Sequence, residues 1–420
     1  MPSKIKRPRG QLSWFLYIPR RMTSAISGLF CCFLLNRLAN NLECGGIHFI
    51  LPDQKEIKCK TAKKGSNAII KFRSYSGILR LFFGGYIGLG EGYVNGDWST
   101  PSLKALFQFG IENQEKFRTR LSGNYLVKIP RKIFRILSRN SKKGSQRNIS
   151  YHYDLGNDFY ELWLDSSMTY SSGLYEDLGS SLEEAQLKKY RRIIETLGIR
   201  SNHRVLEIGC GWGGFAELVA KETGAKVTGI TISREQFDYA CNRIQKADLN
   251  KKAKIQLSDY REVSGTYDRI VSIEMLEAVG EAYWPEFFNT IAKNLAPNGK
   301  AIVQVIFVPD KRFANYRRKS DFIQRHIFPG GMLISPEMME KQAQKVGLAI
   351  SECFSFGSSY ATTLDRWHDR FIDNWRLIEA LGFDGRFKRL WEYYLNYTAA
   401  GFQAGTINVG QFLLKKNIDS

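Results

Sequence analysis

Apolar and polar positions follow two different patterns along the chain. Residues 45–72 alternate apolar and polar side chains, as in Ile47, Phe49 and Leu51, and this period of two predicts the strands of a small α+β domain. From the amphipathic segment Leu182–Leu197 onwards, helical patterns alternate with short apolar runs. That order predicts a doubly wound, Rossmann-like α/β sheet of parallel strands.

Residues 205–236 have the order strand, glycine turn, helix, strand, in the sequence VLEIGCGWGGFAELVAKETGAKVTGITISREQ. The turn contains Gly209, Gly211, Gly213 and Gly214. Glycines let the backbone pass close to a ligand, and the helix N-terminus behind them presents unpaired N–H groups. A purely structural glycine turn is the alternative at this point.

The residues that flank this turn narrow the choice of ligand. A dinucleotide site carries an acid about 20 residues after the turn to hold the ribose. Here Thr231, Ile232 and Gln236 occupy that region, whereas an acid, Glu207, precedes the turn. An acid followed by such a turn resembles the S-adenosylmethionine (SAM) site of class I methyltransferases, and a site for another nucleotide is the remaining alternative.

Polar residues accompany the later apolar runs, which lie at residues 254–257, 268–273 and 301–307. A doubly wound sheet binds its ligand at the carboxyl ends of the strands. Asp259 and Tyr260 end the third predicted strand, where class I methyltransferases hold the adenine, and Glu277 follows the fourth. Gln304 and Ile306 lie in the fifth strand, where a buried amide needs hydrogen-bond partners.

Aromatic residues concentrate in three segments. Residues 149–177 mix many rings with Ser171 and Ser172, which favours a segment folded over the cofactor cleft, although core packing explains many of the rings. Residues 309–331 are basic and aromatic, and we predict an insertion that covers the substrate side. At 79–98, glycines and aromatic residues predict turns of the small domain rather than a second nucleotide loop.

The net charge of the chain indicates an anionic partner. A net charge of +20 implies attraction to an anion, either nucleic acid or a membrane of acidic lipids. The seven cysteines are scattered without metal-ligand spacing. We therefore expect a reduced, cytoplasmic protein without a disulfide framework and without a metal site.

Two segments are candidates for contact with a membrane. The apolar residues 26–35 are too few to span a bilayer, which takes about 20, so they predict an interfacial or core helix, with a signal or anchor as the alternative. Residues 116–147 combine many Lys and Arg with apolar positions and contain no acid. They predict either a solvated linker or a helix that lies on anionic lipid, and the apolar positions favour lipid over nucleic acid, which the same charge would also attract.

These patterns divide the chain into four parts. We predict a basic and apolar N-terminal segment at 1–44, a small α+β accessory domain at 45–115 and a basic amphipathic linker at 116–148. The remaining residues, 149–420, form the predicted catalytic domain.

Six segments together resemble one enzyme family, namely HYDLGNDFY, MTYSSGLYED, VLEIGCGWGG, GITISREQ, IFPGGMLIS and FGSSYATTL. They resemble the cyclopropane-fatty-acyl-phospholipid synthases and the related mycolic acid methyltransferases, from about residue 80 to the C-terminus. The resemblance implies a SAM-dependent enzyme with the class I methyltransferase fold. Its implied reaction transfers a methyl group to the cis double bond of an acyl chain in a membrane phospholipid and yields a cyclopropane fatty acid.

The implied chemistry explains which residue types are needed. An alkene is a weak nucleophile, so the double bond and the sulfonium methyl must be held in line in a dry cleft. Methyl transfer leaves a carbocation, which aromatic faces stabilise by cation–π attraction. Ring closure then needs a base, and in the resembled family a bicarbonate ion has that role.

Site residues carry over position by position. The implied bicarbonate site consists of Ser172, Glu277, Gln304, Ile306 and Tyr360. Serine replaces a cysteine at 172, glutamine replaces a histidine at 304, and Ala278 replaces the histidine that follows the glutamate. Serine supplies the same backbone N–H, whereas a glutamine stays neutral, which weakens anion binding. The implied SAM-binding residues are Tyr170, Ser171, Glu207, Gly209, Gly211, Thr231, Ile232, Gln236, Asp259 and Tyr260.

The substitution at Gln304 leaves the product open between a cyclopropane and a methylene or methyl branch. Two rival classes also stay open: a methyltransferase for nucleic acid or a small molecule, and a non-catalytic lipid-binding relative. We expect phospholipid rather than nucleic acid as the partner, and a peripheral position on the inner, cytoplasmic face of the membrane. The resemblance is also compatible with a homodimer.

Overall fold

The structure, a computed structural model, describes residues 25–121, 155–318 and 321–416. The chain forms two compact units, Met1–Val127 and Lys128–Ser420, so the division falls inside the predicted linker. Most of that linker and the first 24 residues lie outside the described residues. The three boundaries between the four parts drawn from the sequence therefore stay predictions.

The first unit has a four-stranded sheet in the order β2-β1-β3-β4. Strands β1 and β2 are antiparallel, whereas β1 and β3 are parallel. Ile47, Phe49 and Leu51 are buried, which confirms the alternating pattern. The elements are α1 (Ala25–Ala39), β1 (Gly46–Ile50), β2 (Glu56–Lys60), β3 (Asn67–Phe72), α2 (Tyr75–Val94), β4 (Trp98–Ser99), α3 (Leu103–Glu112) and α4 (Gln114–Leu121).

Helix α2 corrects the prediction of turns at residues 79–98. The segment is a helix of 20 residues with a kink at Gly85, whose φ is 58°. Two of its glycines, Gly88 and Gly92, allow close packing and do not form turns. A Cβ on Gly92 would lie 2.9 Å from Nε1 of Trp98, and a Cβ on Gly88 would lie 2.2 Å from the carbonyl oxygen of Arg80. Tertiary contacts thus override the low helix propensity of glycine.

Gly88→Ala is expected to destabilise this unit by about 2 kcal/mol, because the new methyl group meets a backbone atom that cannot rotate away. Gly84→Ala is the matched control on the same helix, since a Cβ there meets nothing within 4 Å. Thermal unfolding should show a lower midpoint for the first variant and an unchanged or higher midpoint for the second. Equal midpoints for both variants would contradict the close packing at Gly88.

The second unit is built on a seven-stranded sheet in the order β10-β11-β9-β8-β5-β6-β7. Strands β5 to β9 are parallel to their neighbours within that group, whereas β11 is antiparallel to β9 and β10. The chain runs from β5 outwards to β7 and then returns to β8 on the other side of β5. This switch of direction confirms the doubly wound α/β prediction and creates a crevice at the carboxyl ends of β5 and β8.

Helices cover both faces of this sheet. The strands are β5 (Arg204–Ile208), β6 (Lys226–Thr231), β7 (Ala253–Leu257), β8 (Tyr267–Ile273), β9 (Leu295–Phe307), β10 (Leu348–Ser355) and β11 (Asn408–Lys416). The helices are α5 (Asn157–Glu161), α6 (Leu182–Leu197), α7 (Gly214–Thr223), α8 (Arg234–Lys246), α9 (Leu276–Val279), α10 (Trp284–Asn294), α11 (Asp310–Arg318), α12 (Phe322–His326), α13 (Pro336–Gln344), α14 (Gly357–Asp373), α15 (Trp375–Ala380) and α16 (Gly385–Gln403).

Local sequence explains why α6 forms where the periodicity predicts it. Ser181 and Glu184 form a reciprocal capping box at its start, and Gly198 ends it in the left-handed conformation with φ 57°. The helix buries its apolar positions, including Leu182, Ile193 and Leu197. Its buried face also carries Gln186 and Lys189, two polar residues that bear on the site described next.

Candidate active site

The glycine turn joins β5 to α7 at the crevice. Gly209, Gly211 and Gly213 have φ values of 82°, 52° and 84°, a region that favours glycine. A Cβ on Gly211 would meet nothing within 4 Å, whereas one on Gly209 would lie 2.9 Å from Met275. Gly211 therefore borders open space into which a ligand could reach, and Gly209 allows close packing.

An acid lies beneath this turn. Glu207 is 3% exposed, and its Oε2 atom has no hydrogen-bond partner among the described residues. Burial raises the pKa of this carboxyl well above its ordinary value. An unpaired buried oxygen can accept a hydrogen bond from a bound ligand. The predicted SAM site requires such an acceptor at Glu207.

The end of β6 adjoins the turn, because the N–H groups of Gly209 and Cys210 both donate to the carbonyl oxygen of Ile230. Thr231 Oγ1 donates to Gln236 Oε1 at 2.9 Å. Ile232 is partly exposed between them. The structure thus places these three predicted cofactor residues beside the glycine turn.

The two predicted adenine contacts have different surroundings. Asp259 caps a short 3-10 turn, and the guanidinium of Arg261 donates to both of its carboxylate oxygens at 2.8 and 2.7 Å. The ring of Tyr260 is buried against Phe287, with 5.8 Å between centroids. Asp259 therefore carries a compensated charge, and Tyr260 is mainly part of the core. Their roles toward the adenine stay predictions.

The segment around Tyr170 approaches the site from the helical side. The hydroxyl groups of Tyr170 and Tyr394 lie 2.9 Å apart. Ser171 Oγ accepts a hydrogen bond of 2.5 Å from Nζ of Lys189, which also donates to Gln186 Oε1 at 2.7 Å. Burial lowers the pKa of Lys189 to about 7. Sequence reasoning missed this lysine, although a charged residue on the apolar face of an amphipathic helix indicates a buried and specifically paired group.

Glu274 stands at the centre of the site, immediately after β8. Its Oε1 atom accepts hydrogen bonds from the backbone N–H of Ser172 at 2.9 Å and from Nε2 of Gln304 at 2.8 Å. Its Oε2 atom accepts a hydrogen bond from the Tyr360 hydroxyl at 2.5 Å. Three of the predicted catalytic residues are thus brought together by a carboxylate that sequence reasoning missed.

The backbone of Glu274 supports a functional reading. Its φ is 51°, in the left-handed region that non-glycine residues rarely adopt. Such conformations cost about 1–3 kcal/mol and persist where the surrounding structure requires them. In the sequence, Glu274 could have been recognised as a site residue because it is an acid at the carboxyl end of a parallel strand, three residues before Glu277.

Glu277 lies beside this centre on α9. Its Oε1 atom accepts a hydrogen bond of 2.5 Å from the backbone N–H of Ile306, and its Oε2 atom has no partner among the described residues. Burial, and then the negative charge of Glu274, raise the pKa of Glu277 to about 8. The five predicted catalytic residues therefore gather at one place, whereas their roles stay predictions.

The two glutamates are not equivalent. Burial also raises the pKa of Glu274, but the hydrogen bonds from Tyr360 and Ser172 and the charge of Lys189 oppose that shift. Hydrogen bonds to the ionised form favour it. Glu274 is therefore the member of the pair that carries the negative charge, and Glu277 is the member that holds a proton near neutral pH.

A chain of amides fixes the orientation of Gln304. Gln411 Nε2 donates to Gln304 Oε1 at 3.0 Å, and Arg192 Nη1 donates to Gln411 Oε1 at 2.8 Å. Because a guanidinium only donates, this chain turns Nε2 of Gln304 toward Glu274. A histidine is therefore not needed at this position to stabilise a carboxylate.

Aromatic rings surround the site on the helical side. Tyr360 stacks on Phe402 with centroids 4.4 Å apart, and Tyr170 packs against Trp163 and Trp367 at 5.4 and 5.2 Å. These rings belong to one buried cluster with Phe159, Tyr160 and Trp212. Their faces offer the attraction that a carbocation needs.

The site fits one of the two implied small molecules and not the other. The glycine turn, the unpaired Glu207 oxygen and the Thr231–Gln236 pair fit SAM. A bicarbonate ion does not fit between Ser172, Gln304 and Tyr360, because the carboxylate of Glu274 already accepts their hydrogen bonds.

The glycine turn at the switch point of this sheet defines a class I SAM-dependent methyltransferase. The sequence profile of the mycolic acid cyclopropane synthetase family matches residues 140–412, and the chain belongs to that family. Its SAM dependence, its methyltransferase class and its resemblance to lipid-modifying enzymes are thereby confirmed.

Known relatives agree with this assignment. The chain is 36% identical over 338 residues to a tuberculostearic acid methyltransferase of Mycobacterium tuberculosis. The aligned residues cover 79% of each protein. It is 34% identical over 349 residues to the cyclopropane-fatty-acyl-phospholipid synthase of Escherichia coli, covering 80% of this chain and 85% of the relative. A mycolic acid cyclopropane synthase complexed with SAH is 29% identical, with a TM-score of 0.61, over 64% of this chain and 98% of that structure.

Proposed function

We propose that this enzyme transfers the methyl group of SAM to the cis double bond of an unsaturated acyl chain in a membrane phospholipid. The observation that carries the proposal is the aromatic cluster beside the glycine turn. Trp212 of the turn belongs to the same buried cluster as Tyr360 and Trp367, and Tyr170 packs against it. A soluble polar acceptor has no need of such a cluster. An alkene does, because its methylation produces a carbocation.

The residues of this chain divide the work. When bound, SAM supplies an electrophilic methyl group on a sulfonium. The glycine turn and Gln236 hold the cofactor, while the aromatic rings exclude water and face the charge that develops on the acyl chain. Glu274 and its hydrogen-bond donors lie among these groups, where a negative charge stabilises the same cation.

A cyclopropane fatty acid is the proposed product, and a methylene or methyl branch is the second candidate. Both require the same methyl transfer, and they differ in what happens to the cation. The relatives include a tuberculostearic acid methyltransferase and a cyclopropane-fatty-acyl-phospholipid synthase, so both candidates have support. A buried carboxylate close to the aromatic cluster favours direct ring closure.

The test uses purified protein, methyl-labelled SAM and liposomes of either unsaturated or fully saturated phospholipid. Label should enter extracted fatty acids only with the unsaturated lipid. Label in nucleic acid or a soluble acceptor instead would support the rival methyltransferase class. SAM binding without turnover on any lipid would support the non-catalytic relative.

The first unit offers a surface for the membrane. Helix α1 exposes Leu29, Phe30 and Phe33 by 73%, 48% and 58%. No helix within the described ranges is long and apolar enough to cross a bilayer. With a net charge of +20, we propose that the enzyme binds the anionic inner face of the membrane peripherally and inserts this apolar patch. The predicted basic amphipathic linker at 116–148 lies largely outside the described residues.

Replacing all three patch residues, Leu29, Phe30 and Phe33, with serine should weaken binding to anionic liposomes about tenfold in a sedimentation assay, because insertion of apolar area is lost. The matched control replaces three exposed leucines of the second unit, Leu178, Leu257 and Leu377, with serine. The control should bind normally. Equal loss in both variants would remove α1 as the contact surface.

A further inference from the structure

Three hydrogen-bond donors of the implied bicarbonate site already donate to the side chain of Glu274. The backbone N–H of Ser172, the amide of Gln304 and the hydroxyl of Tyr360 all point at the carboxylate of Glu274, at 2.9, 2.8 and 2.5 Å. A carboxylate and a bicarbonate ion share the same planar pair of oxygens. The carboxylate of Glu274, which is part of the chain, therefore occupies the place that a bound bicarbonate ion would take.

We propose that Glu274 is the catalytic base of this enzyme and that turnover needs no bicarbonate. This rests on the proposed function, methyl transfer to an alkene. Two independent features support it: the convergence of three donors on one buried carboxylate, and the left-handed backbone at Glu274, with φ 51°, that holds the carboxylate in place.

The chemical step balances without a further reactant. The alkene π electrons form a bond to the methyl carbon, the carbon–sulfur bond breaks with its electron pair on sulfur, and a cation remains on the neighbouring acyl carbon. A carboxylate oxygen of Glu274 takes a proton from the added methyl group, and the released electron pair closes the cyclopropane ring. Glu274 then returns the proton to solvent.

The surroundings suit a buried base. Oε1 accepts two of the hydrogen bonds, and Oε2 accepts one from Tyr360, which leaves Oε2 the less occupied oxygen within the described ranges. Arg192 polarises Gln304 through Gln411. Lys189 adds a nearby positive charge, and burial raises the basicity of the carboxylate. Glu277 is less suited, because its raised pKa leaves it protonated near neutral pH.

Glu274→Gln keeps the shape of the side chain. Its amide oxygen can accept from Ser172 and Gln304, and its NH₂ group can donate to the oxygen of Tyr360. Glu274→Gly removes the carboxylate, leaves room between the three donors and relieves the strained φ. Glu340→Gln, at an exposed position of α13, is the control for loss of a glutamate charge.

The experiment measures labelled fatty acid from unsaturated liposomes in buffer freed of CO₂, and then with bicarbonate added back. Wild type and Glu340→Gln should turn over equally in both buffers. Glu274→Gln should lose about 100-fold in rate while it still binds S-adenosylhomocysteine in calorimetry. Glu274→Gly should regain part of its rate when bicarbonate or formate is added.

Loss of wild-type turnover in CO₂-free buffer would overturn the proposal without any variant, and so would a normal rate in Glu274→Gln. Failure of Glu274→Gly to respond to either anion, although it binds S-adenosylhomocysteine, would also count against it. If wild type labels no unsaturated lipid in either buffer, the proposed function itself is wrong and the role of Glu274 falls with it.

Discussion

Gly211→Val is expected to lose SAM binding by about 100-fold or more. The branched side chain would occupy the space beside the backbone, where a Cβ now meets nothing within 4 Å. It would also strain a residue whose φ is 52°. Calorimetric titration with SAM or S-adenosylhomocysteine measures the loss.

Gly198→Val separates these two causes. Gly198 ends α6 with φ 57°, and a Cβ there also meets nothing within 4 Å, so the backbone strain is matched. Gly198 lies near the start of β8, because Nε of Arg269 donates to the carbonyl oxygen of Leu197, whereas the site lies at the carboxyl end of that strand. This variant should therefore lose stability but keep its affinity for SAM. Equal loss of affinity in both variants would mean that strain, and not the site, explains the effect.

Glu277→Gln is expected to remove a pH dependence from the stability of the second unit. The folded pKa of Glu277 is raised from 4.5 to about 8, so the folded state binds more protons than the unfolded chain between those values. Stability from this group is therefore present at low pH and is lost as pH rises toward 8. Glutamine mimics the protonated carboxyl and can still accept from the N–H of Ile306.

Thermal midpoints should therefore converge near pH 5 and separate by several degrees near pH 8, where Glu277→Gln is the more stable protein. Glu340→Gln serves again as the exposed control and should follow wild type at both values. A wild-type protein that gains stability relative to Glu277→Gln as pH rises would contradict the protonated state of Glu277.

The parts of this fold that could be predicted from sequence depend on local pattern. Strand β5, the glycine turn and α7 are encoded in consecutive residues, and α6 carries its own caps at Ser181 and Gly198. Helix α2 could not be recognised, because its glycines lower helix propensity and only close contacts in the folded chain, such as those with Arg80 and Trp98, explain their presence.

The centre of the site shows the same limit. The family resemblance pointed to Glu277 as the glutamate of the implied bicarbonate site and to Gln304 as a weakened anion ligand. The contacts that give Glu274 its place come from Ser172, Gln304 and Tyr360, which are 102, 30 and 86 residues away along the chain. No local pattern encodes such a convergence. Gln304 is therefore a suitable partner for a carboxylate rather than a defect.

The measurement that tests the central claim most directly uses SAM with a fully deuterated methyl group and liposomes of a monounsaturated phospholipid. Mass spectrometry of the released fatty acids follows each deuterium. Methyl transfer to the double bond, followed by loss of one deuteron from the added methyl group, predicts acyl chains that retain two of the three deuterium atoms. Acyl chains without deuterium, while S-adenosylhomocysteine accumulates, would contradict the claim, because the methyl group would then have gone to another acceptor.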